Sequence, residues 1–208
     1  MKVLLVNGSP RKEGNTHRAL TEIANTLREE GIESEIVWIG NKPIRGCIAC
    51  AACKRNNDGK CIFDDDVCNS ISAKFAEVDG FVFGSPVYYG QPNGALLAIM
   101  QRAFFSNGAQ AQNKPAAAVT ICRRGGATAA FEALQMPMQM LNMPLVTSQY
   151  WNIAYGREAG QVSADAEGMQ TMRTLAHNMA FMLRAIEAEK AKNGLPAREA
   201  WQPMHFIR

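Results

Sequence analysis

Four of the six cysteines in this chain crowd into one short segment. Cys47, Cys50, Cys53 and Cys61 lie within fifteen residues, with the spacing Cys-x2-Cys-x2-Cys-x7-Cys. Three thiols at successive three-residue spacings let one compact loop wrap several thiolates around a metal cluster, as in bacterial ferredoxins. A structural zinc site more often uses two separated Cys-x2-Cys pairs. The spacing therefore favours an iron–sulfur cluster, while zinc, two disulfides and a Cys-x2-Cys redox pair stay open as alternatives.

The fourth ligand of such a cluster has two candidates. Eight steps from Cys53 to Cys61 span up to about 26 Å when extended, so the chain can return to the cluster or leave Cys61 far away. Cys68 is the rival, but its expected place on a helix favours packing. We expect Cys61 to be the ligand. The flanking basic residues either keep the segment solvated or offset the charge of a cluster and dock an acidic donor; they are Arg45, Lys54, Arg55 and Lys60.

A second group of residues has the chemistry of a phosphate site. The segment 8–16 leaves an apolar run and opens a helical pattern, and it combines hydroxyls, an amide, an arginine and two glycines. A helix N-terminus beside such donors suits an anion. The candidate phosphate residues are Ser9, Arg11, Gly14, Asn15 and Thr16. Neither a P-loop nor a Gly-x-Gly-x-x-Gly turn is present, and an ordinary capped strand-to-helix turn is the alternative.

The elements that must position these residues alternate along the chain. Strand-like runs cover 2–6, 34–39, 80–84, 116–122 and 144–151. Helical spacing covers 16–30, 67–77, 92–105, 128–134 and 169–186. Such alternation predicts an α/β fold with a five-stranded parallel sheet covered on both faces. In these sheets ligands bind beyond the carboxyl ends of the strands. The Cys-rich connection 40–66 is long for a compact domain, which indicates a functional loop.

The motifs together resemble the flavodoxin-like, NADPH-dependent FMN reductase family. Gly8-Ser9-Pro10-Arg11 with Gly14-Asn15-Thr16 resembles the phosphate loop of that family. The segment 84–90 resembles its second flavin loop, and 123–126 stands where its third lies. The resemblance implies a doubly wound sandwich with strand order 2-1-3-4-5 and bound FMN. The further flavin-binding residues it implies are Ser85, Pro86, Val87, Tyr88, Tyr89, Gly90, Arg123, Arg124, Gly125 and Gly126.

The residues of these two loops have suitable chemistry. Backbone amides and a tyrosine ring in 86–90 can hold an isoalloxazine, and Gly125 and Gly126 allow close backbone approach to its pyrimidine edge. Arg123 or Arg124 would stabilise the negative charge of reduced flavin. Strand-end packing is the alternative for the tyrosines, and a solvated loop is the alternative for the arginines.

The cysteine arrangement resembles the iron–sulfur flavoprotein branch of the same family. That branch carries one [4Fe–4S] cluster per subunit, which implies Cys47, Cys50, Cys53 and Cys61 as ligands. We therefore expect an oxidoreductase that passes electrons between a one-electron, ferredoxin-like carrier and bound FMN. A cluster-free NAD(P)H-dependent FMN or quinone reductase is the alternative, and a non-catalytic sensor ranks last. No catalytic side chain is predicted, because the cofactors carry the chemistry.

Composition limits the remaining possibilities. The 208 residues are 47% apolar and 20% charged, and we expect one domain over 1–208 with a tail at 195–208. A net charge of +3 is too slight for a nucleic-acid footprint. No apolar run approaches the ~18 residues of a membrane span, so a soluble cytoplasmic protein is expected. The Met-rich segment 136–143 and the apolar tail residues Trp201, Phe206 and Ile207 favour a homodimer or homotetramer.

Overall fold

The computed structural model describes residues 1–205, so the tail residues Phe206, Ile207 and Arg208 lie outside it. Its sheet contains β1 (Lys2–Asn7), β2 (Glu33–Trp38), β3 (Gly80–Tyr88), β4 (Gln91–Pro92), β5 (Ala116–Cys122) and β6 (Ile153–Tyr155). The order is β2-β1-β3-β5-β6, and all these pairs are parallel. The predicted flavodoxin-like order of five parallel strands is confirmed. The sixth strand, β4, was not predicted and forms an antiparallel hairpin with β3.

Helices cover both faces of this sheet. They are α1 (Asn15–Glu29), α2 (Ala52–Asn56), α3 (Cys68–Ala73), α4 (Gly94–Asn107), α5 (Ala127–Met140) and α6 (Ala166–Asn193). On β1, Val3 and Leu5 pack towards α1 and α6, whereas Leu4 and Val6 pack towards α3, α4 and α5. Successive side chains of a strand point to opposite faces. A central strand buried on both sides must therefore be apolar throughout, as 3–6 is.

The fifth parallel strand lies later in the chain than predicted, so the prediction at 144–151 is wrong. That segment forms a single bridge, between Leu145 and Ala116, before it leaves the sheet. The chain returns at Ile153, which pairs with Thr120. The Asn152 amide nitrogen donates to the carbonyl oxygens of Ala118 and Val146, at 3.1 and 3.4 Å. A side chain thus replaces backbone ladder bonds across the gap, which strand propensity cannot reveal.

The entry into α4 also differs from the prediction. Pro92 pairs with Val87 in the β3–β4 hairpin instead of occupying the first helical turn. Asn93 caps α4 instead, and its side-chain oxygen accepts from the Ala95 amide at 3.2 Å. Beyond α6, Trp201 is exposed, so it does not cover the domain that it follows. No helix within residues 1–205 is both long and apolar enough to cross a membrane.

Candidate functional site

The loops that follow β1, β3, β5 and β6 meet in one open cleft of about 190 Å³. It lies beyond the carboxyl ends of the parallel strands, where doubly wound sheets bind ligands. The residues lining it are Ser9, Arg11, Gly14, Asn15, Thr16, Pro86, Val87, Tyr88, Ile121, Cys122, Arg123, Gly156 and Arg157. All five predicted phosphate residues therefore share one cleft with three residues of the second predicted loop and one of the third.

The first of these loops ends at a helix N-terminus that is free of side-chain caps. Gly14 is the N-cap of α1, no side chain accepts from the first amides, and the first turn carries no acidic residue. The Ser9 hydroxyl accepts from the Arg11 amide at 3.1 Å, which closes the loop above the helix. The Asn15 side chain accepts from the Val162 amide at 3.2 Å and ties the loop to the segment after β6. Free amides and the helix dipole make this end attractive to an anion.

The second loop has residues both inside the cleft and beyond it. Ser85 is buried behind the lining, where its hydroxyl donates to the Pro86 carbonyl at 2.8 Å and accepts from the Asn93 amide at 2.9 Å. These two bonds hold the second loop against the start of α4. Tyr89 is fully exposed, with a positive φ of 51°, and is not among the residues that line the cleft. Of the two predicted tyrosines, only Tyr88 lines the cleft.

The second and third loops touch through two glycines. Gly126 has a φ of 84°, and a Cβ added to it would lie 2.8 Å from the Cα of Gly90. This contact fixes how closely the loops approach each other. Arg124 and Gly125 do not line the cleft, and Gly125 has open space around it. From the third loop only Arg123 reaches the lining.

Sequence reasoning missed Gly156 and Arg157 as lining residues. They follow β6, so they escaped notice once the fifth strand was placed at 144–151. A Cβ on Gly156 would lie 2.7 Å from the backbone nitrogen of Val162 and 2.8 Å from the side-chain nitrogen of Asn15, so only glycine fits between them. Arg157 gives the rim a third arginine, although it also pairs with Glu158 at 3.2 Å. Cys122 also lines the cleft, and burial raises the pKa of its thiol.

The four clustered cysteines line a second, smaller hollow against the C-terminal half of α4. Its apolar and aromatic wall comes from Ile48, Ala51, Ile62, Phe63 and Phe105, and Arg102 closes it. Ala49 and Ala51 have positive φ values of 54° and 53°, in the left-handed region that costs an L-residue roughly 1–2 kcal/mol. Their conformation curls the loop, and the Ala49 amide donates to the Cys47 sulfur at 3.4 Å. Such strain gathers at ligand clamps.

The two other cysteines lie apart from this hollow. Cys68 sits at the start of α3, and its thiol contacts the Ile99 carbonyl at 3.8 Å. Burial raises the pKa of the Cys68 thiol to about 12, so it stays protonated. Cys122 belongs to the other cleft, and all six cysteines, each within the described residues, are free thiols.

The donor set in the hollow suits a cluster better than a single ion. Among residues 1–205, no three His, Cys, Asp or Glu side chains are grouped closely enough to hold one metal ion. In a [4Fe–4S] cluster each cysteine binds a different iron, so the four sulfurs lie farther apart than around one ion. All four cysteines line one hollow. Four thiols, an apolar wall and one amide donor aimed at a sulfur together fit an iron–sulfur cluster.

Comparison with known sequences gives a family and several curated relatives. The family model described as NADPH-dependent FMN reductase matches residues 1–158. An iron–sulfur flavoprotein of Methanocaldococcus jannaschii is 34% identical over 195 residues, which cover 90% of this chain and 100% of the relative. An iron–sulfur flavoprotein of Archaeoglobus fulgidus is 30% identical over 201 residues, covering 90% and 98% of the two chains.

Solved structures resemble this chain in fold. RosB with a bound intermediate superposes with a TM-score of 0.69 at 15% identity, over 100% of this chain and 94% of RosB. A flavodoxin from the domain Archaea gives a TM-score of 0.60 at 15% identity, over 88% and 99% of the two chains. At such low identity these likenesses support the architecture alone.

Proposed function

The chain belongs to the NADPH-dependent FMN reductase family and is an FMN-dependent oxidoreductase, and we propose that it is an iron–sulfur flavoprotein. In this proposal the cleft beyond the sheet holds FMN, and the hollow beside α4 holds one [4Fe–4S] cluster. The protein then passes electrons between a one-electron, ferredoxin-like carrier and the flavin. The observation that carries it is the pair of sites in one chain: an uncapped helix N-terminus in the cleft, and four cysteines in one hollow.

The FMN phosphate belongs at the start of α1. The first amides of the helix have no side-chain cap, and Ser9, Arg11 and Thr16 line the cleft beside them. A dianionic phosphate would take these amides as donors and would be stabilised by the positive end of the helix dipole. Arg11 is exposed at the rim and adds a full positive charge.

The flavin ring belongs between the second and third loops. Pro86, Val87 and Tyr88 form one wall, and Arg123 faces them across the cleft. Bound FMN exchanges one or two electrons and an iron–sulfur cluster exchanges one, so the pair connects one-electron carriers to two-electron chemistry. Arg123 supplies positive charge near the ring, and Cys122, being largely protonated at neutral pH, adds no negative charge beside it.

The cluster ligands are Cys47, Cys50, Cys53 and Cys61, all in the lining of the hollow. The curated relatives named above are iron–sulfur flavoproteins, and they cover nearly all of this chain. The names of these relatives and the four thiols in one hollow both favour a cluster over a cluster-free reductase. A cluster-free NAD(P)H-dependent FMN or quinone reductase is the second candidate, favoured by the description of the matching family.

The surface around the hollow fits an acidic electron carrier. Lys54, Arg55 and Lys60 are exposed there, next to the exposed side chains of Ile48 and Ile62. These basic side chains beside an apolar centre speed encounter with an acidic partner, chiefly at low salt, although Asp58, Asp64 and Asp65 are exposed in the same segment. A small ferredoxin-like protein is the partner we propose. NAD(P)H is the alternative donor, delivered at the flavin.

The phosphate assignment is tested with two ligands that differ in one group. Arg11→Ala combined with Thr16→Ala should weaken FMN binding to the apoprotein by tenfold or more, on the order of 1.5–3 kcal/mol for charge-assisted bonds. Riboflavin binding, measured by the same flavin fluorescence titration, should change much less because riboflavin lacks the phosphate. Equal losses for both ligands would remove the phosphate from this loop.

The cluster is tested by anaerobic purification from iron-supplied cells. We expect about four irons and four sulfides per chain, with broad visible absorption beneath the flavin bands. Air strips exposed clusters, so oxygen is excluded throughout. A yellow, iron-free protein from such cells that still passes electrons from NADPH to an acceptor would establish the second candidate instead.

A further inference from the structure

Arg102 is the largest side chain among the described residues that is fully buried. It lies on α4, with 1% of its surface exposed, on the helix face that borders the cysteine hollow. A guanidinium ion loses its hydration when buried, so its donors must find partners inside the protein. Where those partners lie therefore indicates what the residue is for.

Every polar partner of Arg102 belongs to the cysteine-rich segment. Its Nε donates to the Cys61 sulfur at 3.2 Å, and one Nη donates to the Phe63 carbonyl at 2.9 Å. The other Nη pairs with the Asp66 carboxylate and donates to the Arg45 carbonyl at 3.3 Å. Arg45 precedes the first cysteine of the segment, and Phe63 and Asp66 follow Cys61, its last. One side chain of α4 thus bonds to both ends of the loop.

We propose that Arg102 is a positioning residue that holds Cys61 in place as the fourth cluster ligand and raises the reduction potential of the cluster. The inference rests on the proposed function above. The N–H to sulfur bond favours the more negative, reduced form of a cluster, and hydrogen bonds to sulfur are known levers on such potentials. The charge of the guanidinium itself is offset by its Asp66 partner. Partners behind a ligand that orient it matter nearly as much as the ligand itself.

The geometry requires an arginine at this position. Its planar fork presents five donors in fixed directions, and here they serve one sulfur, one carboxylate and two carbonyls at once. A lysine carries one compact ammonium group on a flexible stem and cannot reach all four partners. Arg102→Lys therefore keeps the charge and loses the fastening.

Two variants and a matched control test the proposal. Arg102→Lys keeps the charge, whereas Arg102→Met with Asp66→Leu replaces the whole buried ion pair with apolar groups and leaves no unpaired charge behind. Arg55→Lys is the control, because Arg55 also donates to the loop, at the Cys50 carbonyl, but is exposed. FMN content and thermal unfolding of each variant report whether the rest of the protein is intact.

The first measurement is the cluster potential, from a redox titration followed by electron paramagnetic resonance. The double variant should have a more negative potential or retain fewer irons per chain, Arg102→Lys should fall between it and wild type, and Arg55→Lys should match wild type. A double variant with unchanged potential and four irons would overturn the proposal.

The second measurement does not need a cluster. In the apoprotein, amide hydrogen exchange over 61–66 should speed up by about tenfold or more in both Arg102 variants, because local opening then breaks fewer bonds. Exchange over 3–6, in the centre of the sheet, should not change. Unchanged exchange over 61–66 would refute the fastening role of Arg102. An iron-free wild-type protein with accelerated exchange in the variants would instead reject the cluster and keep the fastening role.

Discussion

Substituting one glycine in the third loop tests whether contact between loops shapes the flavin cleft. Gly126→Ala places a methyl group 2.8 Å from the Cα of Gly90, closer than real Cβ atoms approach backbone. It also forces an L-residue to hold a φ of 84°. Gly125→Ala is the matched control, since its added methyl group meets nothing within 4 Å and its φ is not positive.

The expected magnitude follows from these two effects. The left-handed conformation costs an alanine about 1–2 kcal/mol, and the displacement of Gly90 adds to that. Replacing glycine by alanine also lowers the conformational entropy of the unfolded chain, which stabilises the folded state by about 0.4–1 kcal/mol. Both variants share this stabilisation. It cancels when Gly126→Ala is compared with Gly125→Ala. The difference between them should therefore be at least 1–2 kcal/mol.

That cost divides between folding and FMN binding. If the loop stays strained in the apoprotein, the loss appears in the free energy of unfolding. If the loop relaxes without ligand, the loss appears as an FMN Kd weakened by about five- to thirtyfold. Urea unfolding of the apoprotein and FMN titration together measure the sum. Two variants that agree in both measurements, within error, would show that the contact between the loops does not matter.

Three further predictions concern other parts of the molecule. Lys74 and Lys2 hold the pKa of Glu35 below its usual value, so the stability this carboxylate adds is present at neutral pH and lost as pH falls through its folded pKa. Urea unfolding should show the gap between wild type and Glu35→Gln shrinking as the pH falls below the ordinary glutamate pKa of about 4.3; a constant gap would contradict this. Cys61→Ala should lose the four irons while Cys68→Ala keeps them, and the reverse result would make Cys68 the ligand. The exposed apolar side chains along α5 should be covered in a homodimer or homotetramer, so light scattering at micromolar concentration should not give a monomer mass.

The parallel sheet was predictable because its central strands are apolar on both faces, whereas its strand order was implied by the family resemblance. Runs such as 3–6 and 116–122 carry that signal without ambiguity. The edge strand was not predictable, because its three residues depend on the bond that Asn152, just before them, makes to Ala118 of β5, 34 residues away. Asn152 covers the gap between 146 and 153 by bonding across to β5, and a segment rich in β-formers, 144–151, lies just before it. Tertiary contacts outweighed local propensity there.

The candidate site was predictable where its chemistry is local to one loop. The phosphate residues and the four cysteines are grouped in sequence, so their spacing alone indicates the site. Gly156 and Arg157 could be recognised only if the last strand was placed correctly, and its prediction at 144–151 left them out. Arg102 could not be found from its surroundings in sequence, because its partners lie 36 to 57 residues away. A lone arginine inside the apolar pattern of α4 was the one available signal.

Helix α4 joins the two sites mechanically. At its start, the Asn93 amide nitrogen donates to the Gly8 carbonyl at 2.7 Å, and its backbone amide donates to Ser85, which ties the helix to two loops of the flavin cleft. Nine residues later, Arg102 fastens the cysteine segment. At 1.5 Å per residue these anchors lie about 14 Å apart along one rigid helix. The distance between the flavin cleft and the cysteine hollow within a chain is thus set by the length of α4 between these anchors. The long segment 40–66 is held in position by its bonds to that helix.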